Sequence, residues 1–347
     1  MKTIFLILAA ALALVAGMGA VLADGPPLMA LTGDSGKALP FIGLAGLLVN
    51  KTTLDSIFTG LKTIFNNTLK AMPGNWQATA MEVPSDSSEE DYAWLTRFPK
   101  FRRWVGDKHV KALEAGKYTK VNEDWETTIS VRRNDIEDDR LGIYNTQAQL
   151  AADSAGELHD IIVDELKNGA FTNEGIDGQY FYDTDHVVAG ASVSNKGTAA
   201  LSAADFASAS ASYGAGRSAI MNYKDDEGMA LRLMPNVLEV PPALEAVGRK
   251  LVEAEKLDDN SPNPYRGTAT LIVNPALTSS TAWFLHVTNK AVKPFIVQVR
   301  KRPVFVSQTS MENDDVFNRG EFKFGAEARA AGVYGFWQLS YGSTGAG

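Results

Sequence analysis

Apolar residues recur at helical spacing between residues 52 and 72: Leu54, Ile57, Phe58, Leu61, Ile64, Phe65 and Leu69. That spacing predicts one amphipathic helix with a single apolar stripe. Thr52 followed by Asp55 suits its start, and Pro73-Gly74 stops it. From Asn75 to Val83 the pattern predicts a strand, and Pro84 to Ser88 a turn. Tyr118 to Val121 and Trp125 to Val131, rich in aromatic and β-branched residues, predict a returning pair of strands. Residues 75–132 therefore read as a long two-stranded excursion with a decorated tip. A long helix is predicted from Gly142 to Asn168, with Leu150, Ser154, Leu158, Ile161, Ile162 and Leu166 on one face and Gly169 as its stop. At 1.5 Å per residue such a helix is ~40 Å long, the length of a structural spine.

Beyond Gly169 the pattern shortens. Residues 177–186 are rich in turn formers, and residues 189–200, rich in Gly, Ser and Ala, predict a surface loop. Ala203 to Tyr223 predicts a helix of small residues. Asn236 to Val240 predicts a short strand, and Ala243 to Glu255 a helix introduced by Pro241-Pro242. Thr268 to Val273, Phe295 to Val299, Val304 to Gln308, Glu321 to Phe324 and Tyr334 to Tyr341 predict a strand-dominated end. No internal repeat is present.

The first 47 residues differ from the rest. Their only charges are Lys2, Asp24, Asp34 and Lys37. An uncharged run from Thr3 to Ala23 ends in Val21-Leu22-Ala23, the layout of a secretory signal peptide. The run is near the ~20 residues that span a bilayer. The competing reading is an extended start, or an arm removed or buried during assembly. A second apolar patch, Ala38 to Val49, is too short to span.

Composition narrows the classes. Of 347 residues, 45% are hydrophobic and 21% charged, which is globular rather than disordered. The formal net charge of −8 argues against sequence-independent nucleic-acid binding, which needs a basic face. With 0 Cys there are no disulfides, thiolate metal sites or cysteine nucleophiles. The 4 His residues are His109, His159, His186 and His286.

Each candidate site has a plainer competitor. Asp183-Thr184-Asp185-His186 has metal-binding residue types, but no third histidine accompanies it, and an Asp-rich turn capping its own backbone explains it better. Asp135, Glu137, Asp138 and Asp139 lack the Gly and distal Glu of a calcium loop. They suit the positive end of the long helix that follows. Gly33-Asp34-Ser35-Gly36 imitates a serine-protease loop, but Ser35 precedes every histidine. Gly214-Ala215-Gly216-Arg217 lacks the Lys-Ser/Thr of a phosphate loop. The segment around Arg97, Phe98, Phe101, Arg102, Arg103 and Trp104 mixes aromatics with cations. That suits a single-strand platform, or a loop tip that grips a neighbour. The acidic remainder favours the neighbour, with Asp135, Asp138 and Asp139 as acceptors.

A family resemblance rests on segments in one order: Tyr92-Ala93-Trp94-Leu95, Trp104-Val105-Gly106-Asp107, Tyr118-Thr119, Asp138-Asp139-Arg140-Leu141-Gly142-Ile143-Tyr144, Asp177-Gly178-Gln179, Leu238-Glu239-Val240-Pro241-Pro242 and Gly335-Phe336-Trp337-Gln338. In these the chain resembles the major head subunit of Mu-like phages, the gpT family, over about residues 48–347. The resemblance implies an α+β chain with the Hong Kong 97-like capsid fold. On it, 48–72 is the N-terminal arm, and 73–169 holds the extended loop (85–130) and a peripheral domain built on a spine helix (142–168). Residues 170–290 form the axial domain and 291–347 the returning strands. It implies a non-enzymatic shell protein without cofactor or metal, which assembles with itself as hexamers and pentamers around phage DNA in the host cytoplasm. Scaffold, protease and portal would be partners during assembly, and no stable membrane partner is expected. Residues 1–47 depart from the pattern and are expected to be dispensable for the shell. The alternative is an exported β-rich surface or binding protein, supported by residues 1–23.

Overall fold

The computed structural model describes residues 51–72, 74–96, 118–138, 142–310 and 312–346. The signal-like prefix and the basic aromatic tip lie outside the described residues.

In chain order the first half contains α1 (Lys51–Ala71), β1 (Ala80–Pro84), β2 (Glu89–Asp91), β3 (Thr119–Val121), β4 (Glu123–Arg132), α2 (Arg133–Glu137) and α3 (Gly142–Gly169). There follow β5 (His186–Val188), β6 (Ala191–Val193), β7 (Lys196–Gly197), α4 (Phe206–Ala209), α5 (Ala215–Asn222), β8 (Val237–Val240) and α6 (Glu245–Val252). The last are β9 (Thr270–Val273), β10 (Trp283–His286), β11 (Phe295–Gln308), α7 (Asp314–Arg319), β12 (Glu321–Tyr334) and β13 (Ser340–Ser343).

Two sheets organise these elements. The first has the order β1-β11-β12-β4, with β1 parallel to β11 and the other pairs antiparallel. The second has the order β7-β13-β10-β8-β9, with parallel pairs at both edges. The chain crosses between the sheets three times, from β4 by way of α3 to β7, from β10 into β11 and from β12 into β13. The two therefore share one continuous aromatic junction. Phe181 stacks on Tyr334 with centroids 4.7 Å apart, and Tyr182 stacks on Phe284 at 5.5 Å.

The predicted stripe of α1 buries Leu54, Phe58, Leu61 and Phe65. It packs on α3 and the outer half of the first sheet, where Phe58 meets Phe322 and Phe324 edge-on at 6.4 and 6.1 Å. Here the long helix departs from expectation. Its buried face runs Tyr144, Ala148, Ala151, Ala152, Leu158, Ile162, Val163 and Lys167. Leu150 and Ile161 are exposed instead. Leu158 and Ile162 of the expected face are buried as read, and alanines complete the buried side because small side chains let α1 approach closely. Gly332 plays the same part between α3 and β12: a Cβ there would sit 2.8 Å from Leu166 Cγ and 3.0 Å from Ile162 Cγ2.

Other expectations also shift. Residues 75–83 form a 3-10 turn (Trp76–Ala78) and then β1, because Asp160 accepts from the backbone N–H groups of Asn75 and Trp76 and pins the turn to α3. Tyr118–Val121 and Trp125–Val131 are not partners of each other. β3 pairs with β2, and β4 with β12. Among the described residues the two-stranded part of the excursion is 89–91 against 119–121. Residues 189–200 are not merely a surface loop: they complete the β5–β6 hairpin and supply β7, and Asn195 is fully buried. Gly169 ends α3 without the left-handed conformation of a C′ glycine, which Gly320 does adopt after α7 (φ 65°). The helix predicted over 203–223 exists, with a π turn at Ser210–Gly214 joining α4 to α5.

Candidate functional site

The most concentrated polar chemistry lies at the junction of α3 with the second sheet. Lys167 Nζ donates to Glu239 Oε1 at 2.8 Å, and Asn274 Nδ2 donates to the same oxygen at 2.7 Å. Glu239 Oε2 lies 3.1 Å from His286 Nε2, and His286 Nδ1 lies 2.9 Å from Ser340 Oγ. Ser340 Oγ lies 2.6 Å from the Tyr182 hydroxyl. Six elements or loops thus meet through one chain of hydrogen bonds.

Electrostatics assigns the protons. Burial alone would raise the carboxyl pKa of Glu239, but Lys167 and the bond from His286 hold it low, at about 2. Burial depresses His286 below its ordinary value, so its ring is neutral. A carboxylate only accepts, so Nε2 carries the hydrogen and Nδ1 accepts from Ser340. Asp164, 3.7 Å from Lys167, is raised by burial against the pull of Asn274 and Lys167.

Ser340, His286 and Glu239 have the residue types of a hydrolytic triad. Their accessibility is not that of one: all three are 0% exposed, and Ser340 Oγ is held between His286 and Tyr182. A nucleophile enclosed in this way meets no substrate. The network acts as an internal clamp. Sequence reading missed it. The signal was a glutamate inside an apolar strand, Leu238-Glu239-Val240, and a lysine on the buried side of a helix.

The sequence candidates distribute as follows. Arg97, Phe98, Phe101, Arg102, Arg103, Trp104 and Asp139 lie outside the described residues. Asp135 sits within α2 and accepts from the Tyr144 hydroxyl at 2.6 Å, so it ties α2 to α3 instead of awaiting a partner. Asp138 is exposed. In the Asp183–His186 segment, Asp183 caps the backbone N–H of Thr184 at 2.7 Å. His186 turns inward. Its Nδ1 is 2.6 Å from Asp177 Oδ2, its Nε2 is 3.1 Å from Asn195 Oδ1, and its ring stacks on Trp337 at 4.1 Å. These residues build a turn. Among the described residues no cluster of His, Asp and Glu is arranged to hold a metal ion. Arg217 donates to the carbonyls of Pro235 and Thr268, which is a packing role.

These groups hold elements of the fold to one another. The mixture of helices and strands is similar to that of a phage capsid chain. A chain of the procapsid of bacteriophage JBD30 superposes with a TM-score of 0.54 at 26% identity, over 85% of this chain and 76% of that one. The major capsid protein of Escherichia phage Mu is 28% identical over 294 residues, 85% of this chain and 74% of its own. The Mu-like prophage FluMu major head subunit of Haemophilus influenzae is 26% identical over 293 residues, 84% of this chain and 73% of its own. The family described as Mu-like prophage major head subunit gpT matches residues 54–209, 199–277 and 276–346. The chain belongs to that family, and its function is that of a major head subunit.

Proposed function

We propose that the chain assembles as hexamers and pentamers into an icosahedral head around double-stranded phage DNA, with the Hong Kong 97-like division of labour. The observation that carries this is the family membership, extending over nearly all of the described residues. In this reading α1 belongs to the arm, 48–72, and α3 is the spine of a peripheral domain within 73–169. The second sheet centres on an axial domain, 170–290, and 291–347 returns through both. The course of β11, β12 and β13 supports the last point, since the first two lie in the four-stranded sheet and the third in the five-stranded one.

The physics of such a shell is many weak, repeated contacts. Each is weak enough to let errors dissociate, and together they are stable once the shell closes. The aromatics of the tip would dominate its grip, since exposed ion pairs contribute under ~1 kcal/mol each. The acidic balance of −8 suits enclosing DNA without gripping its sequence. Scaffold, protease and portal are the expected partners during assembly. No described helix is long and apolar enough to cross a membrane.

The test is electron microscopy of the full chain co-expressed with its assembly partners. Closed shells built of six- and five-copy capsomers are expected. A monodisperse small species under the same conditions would overturn the reading.

A further inference from the structure

Lys167, Glu239 and Asn274 meet in the clamp at the end of α3, only 4%, 0% and 9% exposed. One oxygen, Glu239 Oε1, accepts from Lys167 Nζ at 2.8 Å and from Asn274 Nδ2 at 2.7 Å. The same amide nitrogen donates to Asp164 Oδ1 at 2.6 Å. Asn274 Oδ1 in turn accepts from the backbone N–H of Ala276 at 2.9 Å. These partners fix which side of the amide is nitrogen and which is oxygen.

The arrangement has the parts of an acyl transfer. An amine and an amide are held together by one shared carboxylate. Burial disfavours both charges of the Lys167–Glu239 pair, which eases passage of the ammonium proton to the carboxylate. The Phe295 ring walls the amine, 5.9 Å from Nζ. The Ala276 N–H sits against the oxygen on which negative charge would develop, the place of an oxyanion donor. A hollow of about 450 Å³ reaches Lys167, Glu239 and Asn274 and gives a small product a way out. Asn274 is followed by Pro275. Proline has no N–H, so attack of the next backbone nitrogen on this asparagine side chain is closed.

We propose that Lys167 and Asn274 join in an isopeptide bond within one subunit, with Glu239 as the catalytic proton carrier. Lys167 passes a proton to Glu239, and the neutral Nζ attacks Asn274 Cγ. The Nζ–Cγ bond forms and the Cγ–Nδ2 bond breaks. The two hydrogens that Nζ loses end on the leaving nitrogen, one by way of Glu239. That nitrogen departs as ammonium, and Glu239 finishes as the carboxylate it began as. The reaction needs no oxidant and no cofactor. It turns the clamp into a covalent brace between α3 and the loop after β9. The bond lies inside one copy, so it stands apart from how copies assemble.

The test is the intact mass of the purified full chain, fresh and after prolonged incubation at neutral pH, followed by tryptic mapping. The chain is expected to be lighter by one ammonia. Trypsin should fail to cut after Lys167, and one branched peptide should carry both Lys167 and Asn274. Glu239→Gln should slow bond formation roughly a hundredfold or more. Asn274→Ala keeps the Lys167–Glu239 pair and should show its full mass and a normal cut after Lys167, which decides the matter if Glu239→Gln does not fold. A folded parent that keeps its full mass overturns the inference, as does lost ammonia that maps to another asparagine or persists in Asn274→Ala. A Glu239→Gln chain with the parent's circular dichroism that bonds at the parent's rate overturns the role of Glu239.

Discussion

Lys167 Nζ lies 2.8 Å from Glu239 Oε1 where both side chains are buried, and the pair fastens the end of the long helix to the second sheet. Removing one partner leaves an uncompensated buried charge. Lys167→Met is expected to destabilise the subunit by ~3–5 kcal/mol. Adding Glu239→Gln should recover part of that loss, because the stranded carboxylate is then gone. Chemical denaturation of the two variants measures both terms. Equal stability of Lys167→Met and the parent would show that the clamp carries no energy.

The same network sets a pH dependence. The folded pKa of Glu239 is about 2, below its ordinary 4.5, so its contribution is full above about 4.5 and is lost as pH falls toward 2. His286 is also depressed, by burial. The unfolded chain takes up that proton below 6.5 and the folded one resists, so stability falls as pH drops below 6.5. Asp164, raised by burial, works in the opposite direction near its own titration. The melting temperature should therefore begin to fall below about pH 6.5, and His286→Gln should flatten the first part of that fall. Differential scanning calorimetry across this range checks it, and an identical profile in the variant would contradict the assignment of His286.

Trp337 is buried against the His186 ring, in the 3-10 turn just before β13. Trp337→Ala should cost roughly 3–5 kcal/mol and yield mostly misfolded chain. Unchanged melting would mean that this end of the chain is not part of the core.

Gly332→Val tests the contact of α3 with β12. A side chain there overlaps Leu166 and Ile162, and moving the helix away should cost ~1–3 kcal/mol. Urea unfolding measures it. A neutral result would show that the helix shifts freely on the sheet.

Periodicity located α1 and α3 well because each carries a long amphipathic pattern. It placed Leu158 and Ile162 of α3 on the buried side but not Ala148, Ala151 and Ala152, which pack there while Leu150 and Ile161 are exposed. Propensity treats size as a proxy for burial, and a close helix pair reverses that. β10 escaped notice because Trp283–His286 is short and ends in a histidine. That histidine is explicable only once Glu239 and Ser340 are beside it, a relation separated by 47 and 54 residues. Phe336-Trp337, expected in a strand, turns instead so that the tryptophan can cover His186. Non-local polar pairing leaves no local period, so the clamp's only trace in the pattern is a charge at an apolar position, Glu239 in its strand and Lys167 on its helix.

Self-assembly through the aromatic segment around Phe101 and Trp104 makes a direct demand on particle size. The most direct measurement is sedimentation of the full chain beside its Phe101→Ser, Trp104→Ser variant, each expressed with the same partners. The parent should run as megadalton particles. The variant should run as small species with circular dichroism and melting like the parent's. A variant that still forms shells, or a parent that never leaves the small fraction, would contradict the account.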